Sequence, residues 1–283
     1  DATTGVRYSI LAMIHAILEG LFDRAQLQQH LRLIDDHLMG PDGARLFDRP
    51  LDYHGGPQRH FQRAESATFF GREIGLMYMH AHLRFAQALA HIGDAERFFH
   101  ALCQANPIGL RELVPSAALR QSNCYYSSSD AAFADRYQAS AEYERVGLGT
   151  IALDGGWRVY SSGAGILFSL IVRYLFGLRL EAETLLIDPV LPPALDGLRV
   201  EVVLLGQRFD IRYRVRGAGC GVDALQLDGR SLPFGEEANP YRRGAARVAL
   251  SDLAAGPDAG ARPRRLEISV GVAETSGSSA HAP

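Results

Sequence analysis

Leu185–Val215 reads LLIDPVLPPALDGLRVEVVLLGQRFDIRYRV, and its alternation of apolar and polar side chains between Pro and Gly breaks is the period-two signature of half-buried strands. Within it Leu198–Leu204 and Gln207–Val215 form two candidate strands joined at Leu205-Gly206. Downstream, Gly221–Leu227, Arg247–Leu250 and Leu266–Val272 repeat the pattern, with a turn at Asp228-Gly229. An antiparallel sheet follows from such hairpin-spaced strands. Upstream of Gly177 the period changes. Ile10, Leu11, Ile14, Ile17, Leu18 and Leu21 recur at helical spacing over Tyr8–Leu21, and Leu27, Leu31, Ile34 and Leu38 do so over Arg24–Leu38. Further helices are predicted over Met77–His91, Ala95–Cys103, Phe133–Val146 and Ile166–Phe176. Between the helices, Gly40–Gln62 is rich in Gly, Pro, His and Asp and reads as a long loop of the kind that carries function.

The expected fold is therefore α+β with more than one domain: a helical portion over 1–180, a small antiparallel sheet domain over 181–273, and a disordered tail over 274–283. With 283 residues, 47% of them apolar, the chain is long enough for a full core. A net charge of −3 provides no electrostatic footprint for nucleic acid or an anionic membrane surface, so neither partner is expected. All 29 basic residues are arginine, a bias that a GC-rich genome explains and that also suits carboxylate and phosphate recognition. Three scattered cysteines, Cys103, Cys124 and Cys220, form neither a disulfide framework nor a metal motif, which points to a cytoplasmic location. The N-terminus starts in the middle of an apolar pattern without a methionine and reads as part of a longer polypeptide.

Two stretches concentrate groups that bind anions and sugars. Arg72–His82, REIGLMYMHAH, holds an arginine, a carboxylate and two histidines, and Gly155–Gly165, GGWRVYSSGAG, is a Gly/Ser loop feeding an apolar helix, where hydroxyls and backbone N–H groups are able to meet an anion. His80 and His82 are two apart and so point to different helix faces, which argues against a shared metal ion. A lone helix histidine is first of all a hydrogen-bonded structural residue, and Arg72 and Glu73 read first as a surface ion pair. A third stretch, RQSNCYYSSSD over Arg120–Asp130, reads equally as a turn capped by Ser129 or Asp130 or as a sugar subsite, because a pyranose presents apolar C–H faces and many hydroxyls. Trp157 is either a sugar platform or the anchor of its loop.

These segments resemble the inverting disaccharide and oligosaccharide phosphorylases of glycoside hydrolase family 94, and the likeness covers most of the chain. REIGLMYMHAH places Arg72, Glu73, Gly75, His80 and Ala81 on that family's motif of the type KENGxxxHAN. RVYSSGAGIL stands where the family has a loop of the type NSWLTGTAAW, and YLFGLRLEAETLLIDPVLP puts Gly177, Asp188, Pro189 and Pro192 in register with the family's helix-to-strand junction. SNCYY replaces the family's EPYVY, so a sugar-binding glutamate is lost. The combination of motifs is most similar to the branch acting on β-1,2-linked glucooligosaccharides.

The resemblance implies that His80, Ser162 and Gly163 hold phosphate and that Arg72, Glu73, Tyr126, Asp130 and Trp157 face the sugars. It implies reversible phosphorolysis of a β-glucoside to α-glucose 1-phosphate, with inorganic phosphate as co-substrate, no other cofactor and no metal. It further implies that the helical portion is the last part of a six-fold α/α toroid and that the general acid lies upstream of Asp1. Homo-oligomerisation is left open. Two other readings remain: an α/α-barrel hydrolase using Glu73 or Asp130 as base, and a non-catalytic carbohydrate-binding fragment.

Overall fold

The computed structural model describes residues 7–49, 75–121, 126–156, 161–254 and 263–271. It divides into two compact units, residues 1–91 with 97–169 and residues 92–96 with 170–283.

In the first unit, α1 (Ile10–Leu18) and α2 (Arg24–His37) each bury one face, Ile10, Ile14 and Ile17 on α1 and Leu27, Leu31 and Ile34 on α2. Asp23 starts α2 with a reciprocal cap: its carboxylate accepts from the Gln26 N–H at 2.8 Å, and the Gln26 side chain accepts from the Asp23 N–H at 3.1 Å. Such a cap satisfies donors that a helix start otherwise leaves orphaned. A two-residue hairpin follows, β1 (Met39–Gly40) with β2 (Gly43–Ala44). Helices α3 (Met79–Ile92), α4 (Ala95–Ala105) and α5 (Leu110–Leu113) come next. Leu76, Leu110, Val114, Phe133, Val146 and Leu153 belong to one buried apolar cluster in this unit.

The single helix expected over Phe133–Val146 is two, α6 (Arg136–Ala141) and α7 (Glu144–Gly147). The break falls at Glu142 and Tyr143, where the tyrosine packs onto the apolar cluster. The cap of α6 is Asp135, which accepts from the Tyr137 and Gln138 N–H groups at 2.9 Å each. Ser129 and Asp130, expected as caps, instead lie in a strand, β3 (Ser129–Ala131), antiparallel to β4 (Leu153–Gly155).

Helix α8 (Ser161–Leu170) begins before the predicted Ile166 and widens into a π-helical turn, Ile171–Leu175. Gly177 ends it at φ 68°, and a Cβ there would stand 2.1 Å from the Pro189 nitrogen, so only glycine fits between the helix end and the Asp188-Pro189 segment. Asp188 N–H donates to the Gly177 carbonyl at 2.8 Å, which fixes this crossing.

The second unit holds two sheets where one antiparallel sheet was expected. A four-stranded sheet runs β11 (Gly235–Glu236), β12 (Ala246–Ala249), β6 (Thr184–Ile187), β5 (Leu178–Glu181). A five-stranded sheet has the order β10 (Arg230–Ser231), β9 (Val222–Leu227), β13 (Arg264–Val270), β8 (Gln207–Val215), β7 (Arg199–Leu204). Here β13 pairs antiparallel with β9 but parallel with β8. The period read from the sequence is obeyed: Phe209, Ile211, Tyr213 and Val215 are buried on β8, while Arg208, Arg212 and Arg214 are exposed. Hydrophobic alternation fixes which face of a strand is buried and is silent on the direction of its neighbour. The expected tail over 274–283 lies outside the described residues.

Candidate functional site

Four extended segments from distant parts of the first unit run side by side and assemble the site. Ala44 carbonyl accepts from the Tyr78 N–H at 3.0 Å, Met77 carbonyl from the Ser129 N–H at 2.9 Å, Ser127 carbonyl from the Met79 N–H at 2.9 Å, and Ser128 carbonyl from the Gly156 N–H at 2.8 Å. Backbone pairing therefore joins the Asp42 hairpin, the start of the His80 helix, the serine run and the Asp154-Gly155-Gly156 turn.

On this ribbon lies a pocket of about 470 Å³ lined by Leu119, Arg120, Tyr126, Asp130, Phe133 and Asp154, among others. Its volume falls within the range of small-molecule sites, about 300–1,000 Å³. Asp130 and Asp154 are direct cross-strand partners of β3 and β4, which puts two carboxylates on one face. The Tyr126 ring lies so close to Gly155 that a Cβ there would come within 2.2 Å of it, so the missing side chain is what lets the ring pack over the turn. Arg120, only 8% exposed, donates from Nη2 to Ser129 Oγ at 3.2 Å and to the Asp154 carbonyl at 3.3 Å. Its guanidinium carbon sits 5.4 Å from the Tyr126 ring centroid, a cation–π distance.

Behind the pocket Asp42 is buried, and Ser129 Oγ donates a hydrogen bond to its Oδ2. Burial pushes the Asp42 carboxyl up from its ordinary range, against the pull of the Ser129 hydrogen bond and the Arg120 charge; burial pushes Arg120 down, against the Asp42 charge. The Asp42 charge is thus held in a dry place first by the Ser129 hydrogen bond and then by Arg120, and the Arg120 charge first by Asp42.

The two histidines of the predicted motif take different roles. His82 is fully buried: its Nδ1 accepts from the Ala44 N–H at 3.1 Å, and Nε2 lies 2.8 Å from the Ala101 carbonyl, to which it donates. That arrangement requires the neutral ring, and burial lowers its pKa to about 4. His82 ties the Asp42 hairpin to α4. His80, in the first turn of α3, is half-buried with its ring tilted against Tyr78 at 5.8 Å. The start of α3 is held from below: Tyr143 Oη accepts from Arg45 Nη1 at 2.6 Å and donates to the Gly75 carbonyl.

The structure brings Tyr126 and Asp130 to one pocket, and places Ser162 and buried Gly163 in the first turn of α8. Arg72, Glu73 and Trp157 lie outside the described residues. Sequence reasoning missed Asp42 and Asp154 as parts of a site, whereas Arg120 and Ser129 lie in the Arg120–Asp130 stretch read as either a capped turn or a sugar subsite. Asp42 sits in a Pro-Asp-Gly turn and Asp154 before a Gly-Gly pair, contexts in which aspartate is an ordinary turn residue. Among the described residues no group of three His, Cys, Asp or Glu is placed to hold a metal ion, and no helix is long and apolar enough to cross a membrane.

No family model matches the chain. Over 245 residues, 87% of its length, the chain is 43% identical to the 1,2-beta-oligoglucan phosphorylase of Listeria innocua. Over 202 residues, 71% of its length, it is 28% identical to the cyclic beta-(1,2)-glucan synthase NdvB of Rhizobium meliloti. The chain spans only 22% of the first relative and 6% of the second, so it corresponds to one part of each of these larger proteins.

Proposed function

We propose that the chain is part of an enzyme that carries out reversible, inverting phosphorolysis of β-1,2-linked glucooligosaccharides, releasing α-glucose 1-phosphate. The observation that carries this reading is the 43% identity, over 87% of the chain, to a 1,2-beta-oligoglucan phosphorylase. In this reading the chain belongs to glycoside hydrolase family 94, its helices complete a six-fold α/α toroid in the cytoplasm, and the general acid comes from sequence outside Asp1–Pro283.

Phosphate is itself the nucleophile in such a reaction, so the protein needs an anion cradle rather than a base for water. His80, Ser162 and the Gly163 N–H at the start of α8 supply donors of the required kind. The pocket beside them in function is a sugar subsite. Its two carboxylates, Asp130 and Asp154, would repel a phosphate dianion, whereas they accept from sugar hydroxyls while Arg120 donates to others and Tyr126 offers a ring face. Arg72, Glu73 and Trp157 complete the sugar-facing set in this reading.

The test is to incubate the complete polypeptide with a β-1,2-glucooligosaccharide and phosphate and to assay glucose 1-phosphate. Its appearance in step with shortening of the glucan supports phosphorolysis. Free glucose formed without phosphate would replace this reading with hydrolysis, and binding without turnover would leave a carbohydrate-binding module.

A further inference from the structure

We propose that Asp42, which lines no part of the pocket surface described above, is a positioning residue: through Ser129 it holds the Arg120 guanidinium at the back of the sugar pocket. The inference rests on the reading of that pocket as a sugar subsite. Three observations carry it. Asp42 is 1% exposed in the turn of the β1–β2 hairpin, and Ser129 Oγ donates to it. The same Oγ accepts from Arg120 Nη2 at 3.2 Å, so one hydroxyl links the carboxylate to the cation. Arg120 in turn lies against Asp154 and over Tyr126, both of which line the pocket.

The charge arrangement explains what this chain of contacts accomplishes. Asp130 and Asp154 flank the pocket on one face, and a free guanidinium beside them would swing onto their oxygens and occupy the acceptors that sugar hydroxyls need. Asp42, joined to Arg120 through Ser129, adds its charge to that of Asp154 on the guanidinium and so fixes where Arg120 presents its remaining donors to the pocket. Stability alone is a poor account of Asp42, because a buried ionic network is commonly no more stabilising than an apolar one of the same volume.

The test uses Asp42→Asn and Ser129→Ala in the complete polypeptide, with kinetics and crystal structures of each. Asp42→Asn keeps size and hydrogen-bonding capacity but removes the charge. The expected result is a rise in KM for the glucooligosaccharide of about tenfold, the equivalent of one charge-assisted hydrogen bond, with KM for phosphate and kcat within about twofold. The Arg120 guanidinium should be displaced toward Asp130 or Asp154 in the variant crystal. Unchanged oligosaccharide KM, or an Arg120 left in place, overturns the inference, as does a fall in all parameters that matches loss of folded protein. If Asp42→Asn does not fold, Ser129→Ala, which removes one oxygen atom, must give the same KM split and displacement. A wild-type protein that makes no glucose 1-phosphate would sink the phosphorolysis reading, while the position of Arg120 in the two variants would still decide this one.

Discussion

Arg242 grips Asp188 with both ends of its guanidinium, Nη1 to Oδ1 at 2.7 Å and Nη2 to Oδ2 at 2.9 Å, with both side chains only 7% exposed. Asp188 immediately follows β6, so this pair fastens the segment between β11 and β12 to the helix-to-strand junction of the second unit. Removing Arg242 leaves the buried Asp188 carboxylate with only the longer contact to Arg179, at 3.7 Å, so the cost falls at or below the about 3–5 kcal/mol of a buried charge left wholly unpaired. Arg242→Ala should therefore lower unfolding stability by about 2–3 kcal/mol in chemical denaturation; an effect below about 1 kcal/mol would show that Arg179 alone is enough to hold the Asp188 charge.

His82 makes stability depend on acid. Its folded pKa of about 4 lies below the ordinary 6.5, so the folded state refuses a proton that the unfolded chain takes up. The stabilising contribution is fully present above pH 6.5 and is lost as pH falls toward 4, a window worth about 3 kcal/mol at about 1.4 kcal/mol per unit. His82→Gln keeps an acceptor for the Ala44 N–H and a donor for the Ala101 carbonyl without the titration. Denaturation midpoints of the variant should change less between pH 7 and pH 4.5 than those of the wild type. Parallel curves would remove His82 as the source.

Gly177→Ala should disrupt the second unit severely. The new methyl would meet the Pro189 nitrogen at 2.1 Å and the Asp188 carbonyl carbon at 2.3 Å, which are backbone atoms that have no rotamer to yield, and φ 68° is itself strained for alanine. Gly229→Ala is the control, with φ 81° but nothing within 4 Å of its Cβ. A thermal-shift comparison should show a loss several times larger at Gly177, and equal losses would mean that backbone conformation alone accounts for both.

His80→Ala tests the anion cradle. In the complete polypeptide it should raise KM for phosphate by about tenfold or more while oligosaccharide binding changes little, since it removes a donor to the anion and is not among the residues lining the pocket. Unchanged phosphate kinetics would remove His80 from the cradle.

The elements that were legible in the sequence are those whose side chains report a long, regular period. Strands β7, β8, β9, β12 and β13 lie within two residues of their predicted bounds because their residues alternate between core and solvent. The short pairs β3–β4 and β5–β6 were not read: Ser129-Asp130-Ala131 is too short to show a period, and β6 carries the unbroken apolar run Leu185-Leu186-Ile187 where the equally short β12 alternates. The candidate site divides in the same way. Tyr126 and Asp130 stand out locally, in a run of hydroxyls and aromatic rings. Asp42 does not, because its meaning is set by Ser129, 87 residues away, and by Arg120, and only the paired ribbon of extended segments brings them together. His82 was read as a helix histidine with an ordinary structural role, and the structure supplies the partners, Ala44 and Ala101, that no spacing announces.

The place of β13 has a consequence for synthesis. It is the latest strand of the five-stranded sheet to leave the ribosome, yet it stands in the middle, between β9 and β8. Until Arg264–Val270 has emerged, the β7–β8 hairpin and the β9–β10 hairpin have no common strand, and the edges of β8 and β9 that pair with it stand open. The nascent chain must carry these two unfinished ribbons through the whole of residues 232–263, which makes that interval the period in which translation speed and chaperone access govern the yield of native protein.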